Sequence, residues 1–225
     1  MSDDLPIGEP VTGPPARVPG RERRIGRSVE LAPLDPTTDA EPLWRASHDG
    51  SPGAERLWTY LAYGPFSGPE EMRGWIASIA PSEDPLFLAV HGPTGPIGIA
   101  SFMSVDAEMR RIELGHIWYA PSAQRTEANT ETAYLMLREA FDELGYRRVE
   151  WKCDALNARS RAAALRLGFM FEGIFRQHLI VKGRNRDTAW FSIVDHEWPV
   201  VREGLERWLA QPAGERAALA SLRAG

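Results

Sequence analysis

The chain is short of several things, and each shortage closes off a class of protein. It has one cysteine, Cys153, among 225 residues. A lone thiol excludes an internal disulfide framework and any zinc site built from several cysteines. His48, His91, His178 and His196 are scattered without ligand spacing, so no metal is expected. No apolar run approaches the ~18 residues that span a bilayer, and no apolar signal segment opens the chain. Excess positive charge is missing as well. The net charge of −5 argues against nucleic acid or an anionic membrane as partner, because both select a basic face. Lysine is nearly absent: Lys152 and Lys182 are the only two, a bias read as genome composition. The expectation is a cytoplasmic soluble protein, long enough to bury a full core without staples.

Residues 1–27 differ from the rest. Five prolines and four glycines fall there with few large apolar residues, so a mobile arm is expected. Residues 28–209 carry regular patterning, and 210–225 read as a weak tail.

Val29, Leu31 and Leu34 suggest a first strand, followed by a helix near 37–47. Leu57, Trp58 and Leu61 sit at helical spacing up to Gly64-Pro65, and Pro69 can open another helix with Met72, Trp75, Ile76 and Ile79 as its apolar stripe. Strand-like runs follow at Leu86–His91, Gly95–Val105 and Arg110–Tyr119, the first two joined by a Pro93-Thr94-Gly95 turn. Glu127–Leu144 reads as a long helix closed by Gly145. Val149, Trp151 and Cys153 alternate with Arg148, Glu150 and Lys152, which is a strand with two unlike faces. A helix over Arg159–Leu167, strands over 169–182 and 187–195, and a helix over Glu197–Leu209 complete the order. A strand–helix–strand unit amid hairpins implies an α/β fold: a mixed, mostly antiparallel sheet with a central parallel pair and helices on both faces.

Chemistry concentrates in Glu113–Thr130. A strand runs through Ala120-Pro121 into a short loop and the start of the long helix. Unpaired N–H groups and the positive end of the helix dipole make such a place an anion cradle, suited to a pyrophosphate.

Several segments, in order, resemble the GNAT superfamily of N-acetyltransferases, in its RimJ/RimL-like branch. They are Trp58-Thr59-Tyr60, Tyr63–Phe66, Glu113–His116, Gln124–Thr126, Glu131, Leu144–Tyr146, Glu150–Asp154, Asn157, Ser160, Gly168-Phe169, Glu172–Arg176 and Gly183–Thr188, spanning roughly 28–209. The resemblance implies a bacterial acyltransferase that moves an acetyl group from acetyl-CoA directly to a primary amine, either a protein N-terminal α-amine or a small amine. The family's cofactor loop falls on Gln124, Arg125, Thr126, Glu127, Ala128 and Asn129, running into Thr130. Glu127 and Asn129 stand where the family keeps small residues, and a carboxylate at Glu127 opposes a pyrophosphate. Asn157 and Ser160 are implied as cofactor contacts and, equally, are placed to cap the next helix. Amides of Ile117, Trp118 and Tyr119 are implied as donors to the cofactor and the oxyanion. Many relatives place a tyrosine acid where this chain has Ala164; Ser160 could stand in. Glu113 is the first candidate base and His116 the second. Simple alternation puts Glu113, Gly115, Ile117 and Tyr119 on one strand face and His116 with Trp118 on the other, so the two bases share a substrate only if a bulge intervenes. Trp58, Tyr60, Tyr63 and Phe66 are implied over the acceptor. Alternatives are an acyl-CoA-binding module with little catalysis, and a structural role in a homodimer that exchanges the arm.

Overall fold

A computed structural model describes residues 5–212, 215, 216 and 218–222. The elements are β1 (Arg24–Ile25), β2 (Glu30–Pro33), α1 (Ala40–Ser47), α2 (Pro52–Leu57), α3 (Pro69–Ile79), β3 (Leu86–Gly92), β4 (Gly95–Asp106), β5 (Arg111–Tyr119), α4 (Ala128–Arg138), β6 (Arg148–Asp154), α5 (Ala158–Leu167), β7 (Met170–Val181), β8 (Arg184–Val194) and α6 (Trp198–Ala210). They build one eight-stranded sheet in the order β1-β2-β3-β4-β5-β6-β8-β7. Every neighbouring pair is antiparallel except β5–β6, which is the parallel pair expected from the strand–helix–strand unit.

The helices divide between the faces because the strands alternate. Val149, Trp151 and Cys153 of β6 join Leu88, Phe102 and Phe191 in the larger core, under α4, α5 and α6. Phe87, Ala89, Ile99 and Trp118 point the other way and bury α1, α3 and the Trp58–Phe66 loop in a smaller core.

Three expectations are corrected. Helix α2 stops at Leu57, eight residues before Pro65. There Trp58 turns inward to 2 % exposure, and the Lys182 ammonium holds the following loop by donating to the carbonyls of Trp58, Tyr63 and Gly64 at 2.9, 3.2 and 2.7 Å. Gly64 takes φ +64° with the Trp58 ring packed where a Cβ would stand. The long helix leaves α-geometry after Arg138 and runs on as a π-turn over Glu139–Leu144. The arm is anchored from Ala16 onward at a few buried points, though most of its side chains are exposed. Ala16 is buried, Arg17 N–H donates to the Leu144 carbonyl at 2.9 Å, and Arg24 forms a bidentate pair with Glu139 at 2.5 and 2.6 Å. Residues 1–4 lie outside the described residues.

Candidate functional site

The site exists because two strands part. Parallel pairing of β5 with β6 covers only Arg111↔Arg148, Ile112↔Val149 and Glu113↔Glu150. Beyond Glu113, β5 stays hydrogen-bonded to β4 alone, while β6 continues against β8. The opening leads into a cleft of about 1570 Å³ lined by the far half of β5, the loop before α4, the start of α5 and the Thr59–Ala62 loop. Backbone groups of Leu114–Tyr119 that face away from β4 have no strand partner there.

A bulge sets the chemistry of β5. His116 adopts φ +51°, and the β4 register slips between Ile99↔Trp118 and Ser101↔Gly115. The extra residue reverses the alternation beyond it. Trp118 therefore joins the smaller core, and Ile117 with Tyr119 turns to the larger one. This corrects the simple alternation: Glu113 and His116 now face the same cleft.

Glu113 is 5 % exposed. Its carboxylate takes the Lys152 ammonium at 2.9 Å and the Ser104 hydroxyl at 3.1 Å, and Lys152 also reaches Glu150 at 2.8 Å. Lys152 lies 4.0 Å from the centre of the Trp190 ring. Burial raises the Glu113 pKa above the ordinary carboxylate range, against the downward pull of Lys152. The His116 ring packs on Phe87 and Tyr63, at 4.8 and 5.7 Å between centroids. Burial and, secondarily, the charge of Arg186 push it down to about 4, so the imidazole is neutral near pH 7.

The loop before α4 has the expected cradle form. Gln124 Nε2 donates to the Tyr119 carbonyl at 3.0 Å, and Thr126 Oγ1 accepts from Ala128 N–H at 3.2 Å. Arg125, at φ +63°, stands exposed at the rim. Ala128 and Thr130 are buried behind it, with the Thr130 hydroxyl accepting from Arg166 at 2.8 Å; Asn129 lines the cleft. Glu127 is engaged from elsewhere: Arg216 of the tail donates to its carboxylate. That contact holds the Glu127 carboxyl below its usual range. Arg216 also lies over Trp208 at 4.4 Å, and Leu219 of the tail is buried in the larger core. Tail and loop are thus in contact through Arg216 and Glu127.

Asn157 caps α5, its Oδ1 accepting from Ser160 N–H at 3.1 Å, and Ser160 Oγ accepts from Trp151 Nε1 at 3.0 Å. Both line the cleft. Of the four aromatics, only Tyr60 reaches the cleft; its hydroxyl donates to the Leu156 carbonyl at 3.2 Å. Trp58 and Phe66 are buried, with Tyr63 beside them, in the smaller core beneath it, because their rings stack on one another and on Trp118 and Trp75. Sequence reasoning missed Lys152, Ser104, Arg186 and Arg216. For Lys152 a signal was available: in a chain that uses arginine almost everywhere, both lysines hold buried or backbone oxygens.

Residues 28–170 match the family model of the acetyltransferase (GNAT) domain. The chain belongs to the GNAT acetyltransferase family. A GCN5-related N-acetyltransferase from Brucella melitensis is 40% identical with a TM-score of 0.89, over 94% of this chain and 98% of that one. The microcin C7 self-immunity acetyltransferase MccE, solved with acetyl-CoA and AMP, shares the fold: TM-score 0.66 and 23% identity over 75% and 93% of the two chains. YdaF of Bacillus subtilis, whose name places it among ribosomal N-acetyltransferases, is 32% identical over 101 residues. That match spans 45% of this chain and about half, 55%, of YdaF. The protein is an acyltransferase whose family moves acetyl groups from acetyl-CoA to amines. No helix among the described residues is long and apolar enough to cross a membrane.

Proposed function

We propose that this GNAT enzyme acetylates a primary amine by direct attack, with Glu113 receiving the amine's proton, and that its acceptor is the α-amine of a protein N-terminus. The parting of β5 and β6 beside a buried glutamate carries the reading. Acetyl-CoA, when bound, supplies an activated thioester carbonyl, and no acyl-enzyme is needed. The cleft fits it: unpaired β5 amides lie along the opening and the α4 cradle ends it. The charge objection raised by Glu127 is met by Arg216. Amides of Ile117–Tyr119 that face away from β4 are set to donate to the oxyanion. Ser160 is the hydroxyl that α5 offers the departing thiolate, since Ala164 is fully buried and has no acidic proton. The preference for an N-terminal amine rests on the RimJ/RimL likeness and on the name of YdaF. A cytoplasmic location belongs to the same proposal.

Two measurements test it in turn. Acetyl-CoA is expected to raise the melting temperature, because a ligand that binds only the folded state stabilises it. Thiol release is then followed with a panel of peptides and small amines, products being read by mass spectrometry. Stabilisation without release from any amine would leave only the acyl-CoA-binding module, and no stabilisation would remove both.

The tail makes a separate prediction. Arg216→Gln exposes a pyrophosphate to the Glu127 carboxylate and is expected to weaken acetyl-CoA binding roughly tenfold, about 1.4 kcal/mol. In a Glu127→Gln background the same change is expected to matter little. Titration calorimetry on the four proteins reads the cycle; equal losses in both backgrounds would show that Arg216 does not act through Glu127.

A further inference from the structure

Arg186 is a cation in the wall of the cleft. It stands on β8 two residues before Thr188, which pairs with Asp154 at the end of the antiparallel β6. Its guanidinium therefore sits where β6 has stopped, beside the opening, and lines the cleft. It is half-buried, and its Nε is sealed from solvent without a hydrogen-bond partner. It lies close enough to His116 and Cys153 for its charge to act on both. Among the described residues no carboxylate pairs with it.

The chain's two lysines are already committed, and Arg56, Arg125 and Arg159, which also line the cleft, are exposed. Lys152 is held between Glu113 and Glu150, and Lys182 by three carbonyls. A partly desolvated, unpaired guanidinium is unfavourable unless an anion arrives to meet it. The anion is not a cofactor phosphate. From His116 the strand runs three more residues, roughly 10 Å, before the phosphate cradle begins. Arg125, Arg166 and Arg216 line that far end. In the transfer reading proposed above, the neutral thioester of a bound acetyl-CoA would lie toward the His116 end. The charge must come with the acceptor.

We infer that the acceptor carries a carboxylate or phosphate close to its reactive amine, and that Arg186 binds this anion and so selects the substrate. The inference rests on reading the cleft as an acetyl-transfer site. Glu113 and Arg186 then divide the labour: one faces the amine, the other its acidic neighbour. Overall acidity, which on long-range steering alone favours a basic acceptor, is overridden by this local charge.

Matched acceptors test it: leucine against leucinamide, peptides with Asp against Asn at the second position, and phosphoethanolamine against ethanolamine. In at least one pair the acid member is expected to show a kcat/KM tenfold or more above its neutral partner, and the pair that responds identifies the source of the anion. Arg186→Gln is expected to bring that acid member down to its neutral partner, with acetyl-CoA affinity held within twofold; Arg186→Lys is expected to keep part of the preference. A binding arm needs no turnover. In the presence of CoA, calorimetry with N-acetyl-leucine, N-acetyl-Asp-Ala and N-acetyl-phosphoethanolamine is expected to show binding that N-acetyl-leucinamide, N-acetyl-Asn-Ala and N-acetyl-ethanolamine lack. Equal handling of acid and neutral members in every pair, in turnover or in binding, overturns the inference. So does an Arg186→Gln protein that loses acid and neutral acceptors alike, which would assign the guanidinium to the reacting carbonyl. If no amine reacts at all, the transfer reading fails, and the binding arm still decides the anion.

Discussion

Replacing Glu113 by Gln is expected to lower turnover by about 10²–10⁴-fold while acetyl-CoA affinity stays within roughly twofold, the pattern of a lost general base. The geometry makes the carboxylate suited to the task. Lys152 is shared with Glu150, so a proton arriving on Glu113 does not orphan the ammonium. Ser104 and Lys152 hold the carboxylate still, and burial keeps its pKa above that of a free glutamate. The sign of the pH dependence follows. A base must be deprotonated, so kcat/KM falls as pH drops through the Glu113 pKa. That acid limb is expected on the alkaline side of the ordinary carboxylate range, and Glu113→Gln is expected to abolish it. His116, pushed down to about 4, loses its proton on the acid side of that limb. Turnover near that of the parent in the Gln variant would transfer the role to another group.

The largest effect on stability is expected at Arg24. Its guanidinium is 8 % exposed and grips Glu139 through Nε and one terminal nitrogen, which also donates to the Gly20 carbonyl at 2.8 Å; the other terminal nitrogen donates to the Glu22 carbonyl. Arg24→Leu leaves Glu139 buried without a counter-charge, which costs about 3–5 kcal/mol. At about 2–4 °C per kcal/mol for a chain of this size, melting falls by roughly 10 °C. Removing both charges in an Arg24→Leu, Glu139→Leu pair is expected to recover most of the loss, because an apolar contact replaces the desolvated pair. Calorimetry decides: a single variant that melts within about 2 °C of the parent would mean that the pair contributes nothing.

These two predictions differ in how much of their basis could be read from the chain. Alternation over Arg148–Cys153 states both the strand and its faces, and the structure follows it residue by residue. Glu113 is singled out through the resemblance, some of whose members keep a catalytic glutamate on that strand. The bulge at His116 was open as a possibility, from the way sheets of the resembling family splay at this strand, but no residue of the strand fixed its place. Two residues apart in expected facing became one shared surface on that account. Arg24 was hidden for a different reason. Proline and glycine around it read as solvated chain, and its partner lies 115 residues away. Arg216 was hidden in the same manner, in a tail whose composition promised nothing and whose contact with Glu127 closes 89 residues of sequence. Local patterning reports periodicity; it does not report which distant charge completes a site.

The short pairing of β5 with β6 has a consequence for how the sheet breathes. Eight strands share one ladder, yet over Leu114–Tyr119 the ladder is interrupted, and the strand at its middle has an edge. Amides there that turn away from β4 open to solvent without breaking a cross-strand bond, so their exchange with deuterium is set by local motion and not by global unfolding. The halves on either side are held together by three residue pairs and by the helices that cross them. A bound molecule lying along that seam would splice the ladder, so cooperativity between the two halves of the sheet is a property of the complex more than of the free chain.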